Sequence, residues 1–164
     1  MIRHAELQDL PAITEIYNQA IEAGFQTAFT EKFKPEERIA WFEEHTKDSY
    51  PLFVSIEDGL VAGWLSISPY RKGRAALRQT VEISYFLDKS FRGRGIGTQL
   101  INHGLEVCKE LGYKTVIAII IDRNVASINL VEKLGFARWG YLPAVATFKG
   151  EECGHLYYGC HVRN

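Results

Sequence analysis

Apolar residues recur at helical spacing in four stretches of the chain. The stretches begin near Asp9, Lys34, Ile96 and Ala126, and the first, third and fourth end at Gly24, Gly112 and Gly135. A capping residue or a proline opens the first two, and a glycine closes three of them, as is typical of helix starts and ends. The pattern predicts about four amphipathic helices.

Apolar and β-branched runs between these stretches predict strands. Leu52–Glu57 and Leu60–Ser68 flank an Asp-Gly pair, the signature of an antiparallel hairpin. Further strands are predicted at Ile2–Ala5, Thr80–Leu87, Thr115–Ile121 and in the aromatic segment up to His161. This order predicts one mixed α/β (α+β) domain over residues 1–164, with a largely antiparallel sheet.

A glycine-rich loop joins one predicted strand to the third predicted helix. It contains Gly93, Gly95 and Gly97 between Phe91 and Leu100. Glycine allows positive φ and close approach of a ligand, and the N–H groups at a helix start attract phosphate. A nucleotide-triphosphate loop is excluded because no Lys-Ser or Lys-Thr pair follows these glycines. A dinucleotide fold is disfavoured because its glycines follow the first strand. The loop predicts a phosphate cradle.

The net charge and the N-terminal residues limit the classes of partner that the sequence predicts. The chain has 19 basic and 20 acidic residues and a net charge of -1, which gives no general field for nucleic acid or an anionic membrane. Residues 1–6 lack the apolar core of a secretory signal, and no apolar run reaches the about 20 residues that span a bilayer. We expect a cytoplasmic protein without membrane or nucleic-acid partners.

Cysteine spacing gives no sign of a metal site. Cys108, Cys153 and Cys160 form no Cys-x2-Cys pair and are odd in number. Neither a disulfide framework nor a zinc site is therefore predicted. We expect no metal cofactor.

Short motifs follow one another in a fixed order along the chain. They are Val81–Leu87, Arg92-x-x-Gly95-x-Gly97, Asn124-x-x-Ser127 and Glu132–Phe136. Together they resemble the GNAT superfamily of acetyl-coenzyme A (acetyl-CoA) dependent N-acetyltransferases. Additional motifs are Ile16–Asn18, Glu37-Arg38 before Trp41-Phe42, Arg78-x-Thr80-Val81-Glu82 and Trp139-Gly140 before Pro143. These resemble the phosphinothricin and methionine-sulfoximine acetyltransferase branch.

The resemblance implies a sheet of about seven strands whose fourth and fifth members splay apart. Acetyl-CoA would be the cosubstrate, its pantetheine arm in the gap and its pyrophosphate on the glycine loop. Asn124 would reach the pantetheine, and Ser127 would assist or cap the last helix. The residues implied to hold acetyl-CoA are Tyr85, Phe86, Leu87, Arg92, Gly93, Arg94, Gly95, Ile96, Gly97, Thr98, Asn124 and Ser127.

The resemblance also places the proposed catalytic base at Glu82, which would accept a proton from the attacking amine directly or through water. The backbone N–H of Phe86 or Leu87 would stabilise the developing oxyanion. Many GNAT members carry a tyrosine proton donor where this chain has Val131. Tyr85 and Tyr141 are alternatives for that role, which stays unassigned.

The acceptor is predicted from a basic connection. Arg71, Arg74 and Arg78 would clamp an anionic group, and Phe29 would line the side-chain cavity. The branch often has tyrosine where this chain has Leu77. The leading hypothesis is acetyl transfer to the amine of a methionine sulfoximine, methionine sulfone or phosphinothricin type of substrate, by direct attack in a ternary complex.

Four alternatives remain open from the sequence. The acceptor would be a polyamine, an aminoglycoside or a protein N-terminus; or the chain would be a non-catalytic CoA sensor. The arginines before Glu82 favour an anionic acceptor over a polycation. The aromatic C-terminal strands are also a candidate surface for a homodimer.

Overall fold

A computed structural model describes residues 1–162. The strands are β1 (Ile2–His4), β2 (Leu52–Glu57), β3 (Leu60–Pro69), β4 (Thr80–Leu87), β5 (Thr115–Ile121), β6 (Ala137–Phe148) and β7 (Glu151–His161). The helices are α1 (Leu10–Ala23), α2 (Ile39–Glu43), α3 (Ile96–Glu110) and α4 (Val125–Lys133). Short 3-10 helices occupy Leu7–Asp9, Pro35–Arg38, Ala75–Leu77 and Lys89–Phe91.

The seven strands form one sheet in the order β1-β2-β3-β4-β5-β7-β6. Every neighbouring pair is antiparallel except β4 and β5, which are parallel. That pair is joined only between residues 80–82 and 115–117, and the remainder of β4 is paired with β3 alone. The predicted mixed sheet, its splayed fourth and fifth strands and its four helices are confirmed.

The sheet is covered on both faces. On one face, Leu100 and Ile101 of α3 are fully buried in a core that also contains Leu65 of β3. On the other face, Ile13 of α1 packs in a second core with Trp64, whose indole donates a 3.1 Å hydrogen bond to the Ile13 carbonyl. Helices on opposite faces thus hold β3 and β4 rigidly while the open edge of β4 stays free.

The second predicted helix is shorter and more irregular than its pattern indicates. Pro35–Arg38 is a 3-10 turn, and regular α-helix covers only Ile39–Glu43. The side chain of Glu37 accepts the Lys34 backbone N–H at 2.6 Å, which closes the start of the turn. This turn brings Arg38 against α1, where it is buried.

The segment between α1 and this turn is held down by side chains of α1. Asn18 donates from its amide to the carbonyl of Phe33 at 2.8 Å and accepts the Phe33 N–H at 2.9 Å. The hydroxyls of Tyr17 and Thr27 are 2.8 Å apart. These bonds fix residues 24–34 over the sheet, where Thr27 and Ala28 border a cavity. Among residues 1–162, no helix has both the length and the apolarity needed to cross a membrane.

Candidate active site

The open edge of β4 exposes backbone hydrogen-bonding groups. The N–H of Asp88, directly after β4, donates to the carbonyl of Ala62 in β3 at 2.9 Å, and the pairing with β3 continues without interruption along β4. Hydrogen-bonding groups in a strand point alternately to its two sides. The N–H and C=O groups of Ile83, Tyr85 and Leu87 are consequently directed away from β3, into the gap.

This alternation separates the two residues considered for the oxyanion. Phe86 lies opposite Trp64 in the ladder with β3, so its N–H faces β3. The N–H of Leu87 faces the gap. Of the two, only Leu87 therefore has its backbone donor on the side where a ligand fits.

A cleft of about 270 Å³ occupies the gap between β4 and β5. Seven of the residues predicted to bind acetyl-CoA line it: Tyr85, Phe86, Leu87, Arg92, Gly93, Asn124 and Ser127. The other five, Arg94, Gly95, Ile96, Gly97 and Thr98, continue from the cleft into the start of α3. The cleft and the glycine loop therefore form one continuous surface from β4 to α3.

Glycine is needed in this loop for two different physical reasons. Gly93 and Gly95 have φ values of +76° and +78°, and no heavy atom lies within 4 Å of a Cβ placed there, so conformation alone requires glycine. Gly97 is helical, but a Cβ there would lie 2.9 Å from Leu130 of α4. The first two shape the cradle, and the third allows α3 to approach α4.

The two loop arginines remain accessible. Arg92 reaches the amide oxygen of Gln26 at 3.5 Å, and Arg94 lies 4.0 Å from Asp58 with more than half of its side chain exposed. Both are therefore free to reorient toward an anionic ligand.

Asn124 caps α4. Its side-chain oxygen accepts the backbone N–H of Ser127 at 3.3 Å. Asn124, rather than Ser127, is thus the polar cap, and the amide NH₂ of Asn124 is left to donate into the cleft.

The tyrosines considered as proton donors differ in position. Tyr85 lines the cleft, and its hydroxyl is buried without a hydrogen-bond partner. Burial raises the pKa of Tyr85 to about 12, so the phenol is protonated at neutral pH. Tyr141 is exposed on β6 and donates its hydroxyl to Asp122 at 3.0 Å. Val131, at the usual tyrosine position, is fully buried.

Glu82 is the last residue of β4 that is paired with β5. It lines a second cavity of about 380 Å³, together with Ser66 and Ser68 from β3 and His155 and Tyr157 from β7. Burial raises the pKa of the Glu82 carboxyl. A carboxylate with a raised pKa is better matched to accepting a proton near neutral pH.

The two cavities meet beside Glu82. Gln26, Ser84, Phe86 and Ile119 line both the cleft and the Glu82 cavity. A group held at the inner end of the cleft therefore adjoins the space that Glu82 faces.

The arginines of the basic connection lie elsewhere. Arg71, Arg74 and Arg78 line a separate cavity of about 340 Å³ with Glu44 and Tyr50. All three arginines are exposed, and none lines the Glu82 cavity.

Phe29 is 52% exposed and contacts the aromatic residues beside the Glu82 cavity. Its ring lies 5.0 Å from Phe33 and 6.0 Å from Tyr17, centroid to centroid. Of these, only Tyr17 lines the cavity itself.

Other lining residues were not among the predicted site residues. Arg38, His155 and Tyr157 come from segments far apart in the sequence. Ser66 and Ser68 of β3 could have been predicted from the sequence, because they alternate with apolar residues in a strand and so share one face of the sheet. In residues 1–162, no group of three or more His, Cys, Asp or Glu side chains is arranged to hold a metal ion.

Comparison with known proteins identifies the family to which the chain belongs. The profile of the "Acetyltransferase (GNAT) family" matches residues 12–136. The chain belongs to the GNAT family of acetyltransferases. This GNAT protein is accordingly an acetyl-CoA-dependent N-acetyltransferase, and the predicted cosubstrate is confirmed.

Individual relatives cover most of the GNAT chain. The Bacillus subtilis protein YwnH is 40% identical over 151 residues, which are 92% of this chain and 91% of YwnH. The L-methionine sulfoximine/L-methionine sulfone acetyltransferase of Salmonella typhimurium is 33% identical, over 88% of this chain and 84% of its own. The resemblance to the phosphinothricin and methionine-sulfoximine branch is confirmed.

A solved relative contains the cosubstrate. The GNAT superfamily phosphinothricin acetyltransferase of Sinorhizobium meliloti, in complex with acetyl-CoA, is 30% identical with a TM-score of 0.94, covering 99% of this chain and 88% of that one. The open edge of β4 and the left-handed glycines of this chain fit such a ligand, because they offer unpaired backbone donors beside a helix start.

Replacing Gly95 by alanine tests the cradle. A left-handed residue with a Cβ costs about 1–2 kcal/mol, which the free Gly95→Ala loop would relieve by leaving the left-handed conformation. Acetyl-CoA binding must then restore that conformation, so we expect the Kd for acetyl-CoA to rise about 5- to 30-fold. The matched control is Gly59→Ala in the β2–β3 hairpin, where φ is also +78° and space is also open. Calorimetric titration should give an unchanged Kd for the control. Equal Kd values for both variants and the wild type would remove Gly95 from the cradle.

Proposed function

We propose that the enzyme transfers acetyl to the primary amine of a small amino-acid-like acceptor, of the methionine sulfoximine, methionine sulfone or phosphinothricin type. The reaction would be a direct attack in a ternary complex. The observation that carries the proposal is the junction beside Glu82, where the donor cleft adjoins a cavity lined by a carboxylate with a raised pKa.

Glu82 would accept the proton that the attacking amine loses. A thioester already activates the acetyl carbon, so the enzyme mainly positions an unprotonated amine next to it. Backbone donors facing the gap, with Leu87 among them, would stabilise negative charge that develops on the carbonyl oxygen. Tyr85 would be the proton donor to the departing sulfur, because its hydroxyl lies in the cleft and is protonated.

Relatives support this acceptor class. Two of them are named for methionine sulfoximine, methionine sulfone and phosphinothricin, which are amino acids with a tetrahedral group on the side chain. Serine hydroxyls and aromatic rings in the Glu82 cavity suit such a group. The exposed cavity of Arg71, Arg74 and Arg78 is separate from the Glu82 cavity and would be the alternative site for an anionic group of the acceptor.

Thiol release from acetyl-CoA against a panel of amines tests the proposal. The panel contains methionine sulfoximine, methionine sulfone, phosphinothricin, ordinary amino acids, spermidine and an aminoglycoside. We expect turnover only with the first three compounds. Turnover only with polycations would overturn the acceptor class, and coenzyme A binding without any turnover would favour a sensor.

Replacing Glu82 by glutamine tests the base. We expect kcat to fall about 100- to 10,000-fold while the Kd for acetyl-CoA stays unchanged. Protonated Glu82 cannot accept a proton, so wild-type kcat/KM should fall as the pH drops through a pKa above the ordinary glutamate range, and the variant should lack this fall. Glu106→Gln, at an exposed position of α3, is the control. An unchanged pH profile in Glu82→Gln would exclude Glu82 as the base.

We also propose a homodimer through β6. This edge strand exposes Trp139, Tyr141, Leu142 and Val145, each between 40% and 51% accessible. An apolar edge strand with unpaired backbone groups favours association with a second chain.

Sedimentation tests the dimer. We expect the wild type to sediment at twice 18.6 kDa and Val145→Glu to sediment as a monomer, because a buried unpaired carboxylate is costly. The control is Leu60→Glu, whose site in the β2–β3 hairpin is 61% exposed. A monomeric wild type would contradict the proposal.

We further propose that the enzyme acts in the cytoplasm. Cys108, Cys153 and Cys160 are all free thiols, and two of them are buried. Free cysteines without disulfides are typical of a reducing compartment.

A further inference from the structure

Arg38 is a buried cation held by aromatic rings. Only 5% of its surface is exposed. The guanidinium carbon lies 3.9 Å from the ring centroid of Trp41, 4.5 Å from that of Tyr17 and 5.2 Å from that of Phe33. Rings at these distances attract a guanidinium through its face and fix its position.

The Arg38 charge has no acidic partner in the part of the chain that the structure describes. No carboxylate oxygen lies within 4.0 Å of its nitrogens, and its buried Nε has no hydrogen-bond partner. Arg3 shows the contrast, because it forms two hydrogen bonds of 2.7 and 2.9 Å with the buried Asp9. A buried charge without a counter-charge is costly, and stacking on rings leaves the Nε–H of Arg38 unsatisfied.

Arg38 lines the same cavity as Glu82, and the two side chains form no ion pair. The cavity thus has one buried guanidinium and one carboxylate, and its other walls are hydroxyls, aromatic rings, aliphatic side chains, the amide of Gln26 and the imidazole of His155. An amino acid carries the complementary pair of groups on a single carbon. Its amine must lose a proton to an acceptor, and its carboxylate can form two parallel hydrogen bonds with a planar guanidinium.

We propose that Arg38 binds the α-carboxylate of the acceptor and so directs the α-amine toward Glu82. The enzyme would then select amino acids over simple amines that share the same side chain. This inference rests on the proposed function, because it takes Glu82 as the group that receives the proton. Burial lowers the pKa of Arg38, which reflects the cost that a bound carboxylate would relieve.

The arginines of the basic connection are weaker candidates for this contact. Arg71, Arg74 and Arg78 are exposed to water, which screens an ion pair, and they do not line the Glu82 cavity. Arg74 therefore provides a matched comparison for Arg38.

Two acceptors that differ only in the carboxylate test the proposal. They are L-methionine sulfone and 3-(methylsulfonyl)propan-1-amine. Kinetics with both compounds should be measured for the wild type, Arg38→Met, Arg38→Lys and Arg74→Met. Methionine keeps an unbranched apolar side chain against the rings without the charge, and lysine keeps the charge without the planar fork.

We expect the wild type to prefer L-methionine sulfone. Arg38→Met should lower kcat/KM for L-methionine sulfone about 10- to 100-fold, the range for a charge-assisted hydrogen bond. Its kcat/KM for the carboxylate-free amine and its KM for acetyl-CoA should stay at the wild-type values. Arg38→Lys should recover part of the loss, and Arg74→Met should affect both acceptors equally.

Three results would overturn the proposal. The first is an equal loss of kcat/KM with both acceptors in Arg38→Met, which would indicate a purely structural cation. The second is a loss of kcat/KM specific to the carboxylate-bearing acceptor in Arg74→Met only. The third is a wild type with the same kcat/KM for both compounds. This third result is obtained with the wild type alone, so it does not depend on whether the variants fold.

Calorimetric binding of both compounds to the CoA-bound protein separates this inference from the proposed function. Turnover without a preference for the carboxylate would refute the role of Arg38 and leave acetyl transfer to amines intact. Arg38-dependent binding of L-methionine sulfone without turnover would support the role of Arg38 and refute acetyl transfer to this acceptor. Failure of both compounds to bind would overturn the inference together with the acceptor class.

Discussion

Backbone hydrogen-bonding groups left open along one edge of β4 are the constraint on which the rest of the site depends. β4 and β5 are paired over three residues each, after which β5 continues beside β7 and β4 beside β3. Unsatisfied buried backbone groups cost about 1–3 kcal/mol each, so the gap favours an occupant that completes the ladder. The glycine loop and the start of α4 lie where such an occupant would end and turn.

Glu82 acquires its position from the same divergence. It is the last β4 residue with a partner in β5, so it is fixed by strands on both sides, yet it borders the place where they separate. A side chain there is immobilised by the sheet and still faces an open cavity. The sheet thereby provides both the binding edge and the rigid mount for the carboxylate.

The spacing of apolar and turn residues predicted the helices and strands, and the resemblance of the motifs predicted the cleft between β4 and β5. The run around Glu82 and the glycines at 93 and 95 have strong local requirements, namely strand pairing and positive φ. The acceptor side was less predictable because its walls come from α1, α2, β3, β4, β5 and β7. Arg38 looked like one charge in a helical pattern; its burial depends on a 3-10 turn that no periodicity indicates. The exposed arginines were conspicuous in the sequence, yet they line a different cavity.

The shared wall between the two cavities has a consequence for the choice of acyl donor. Ser84, Phe86 and Ile119 border both spaces, so no layer of packed side chains separates donor from acceptor. Each carbon added to the acyl chain beyond acetyl would extend into volume that the acceptor needs. Chain-length selectivity would then arise from competition for space between the two substrates, and it would tighten as the acceptor becomes larger.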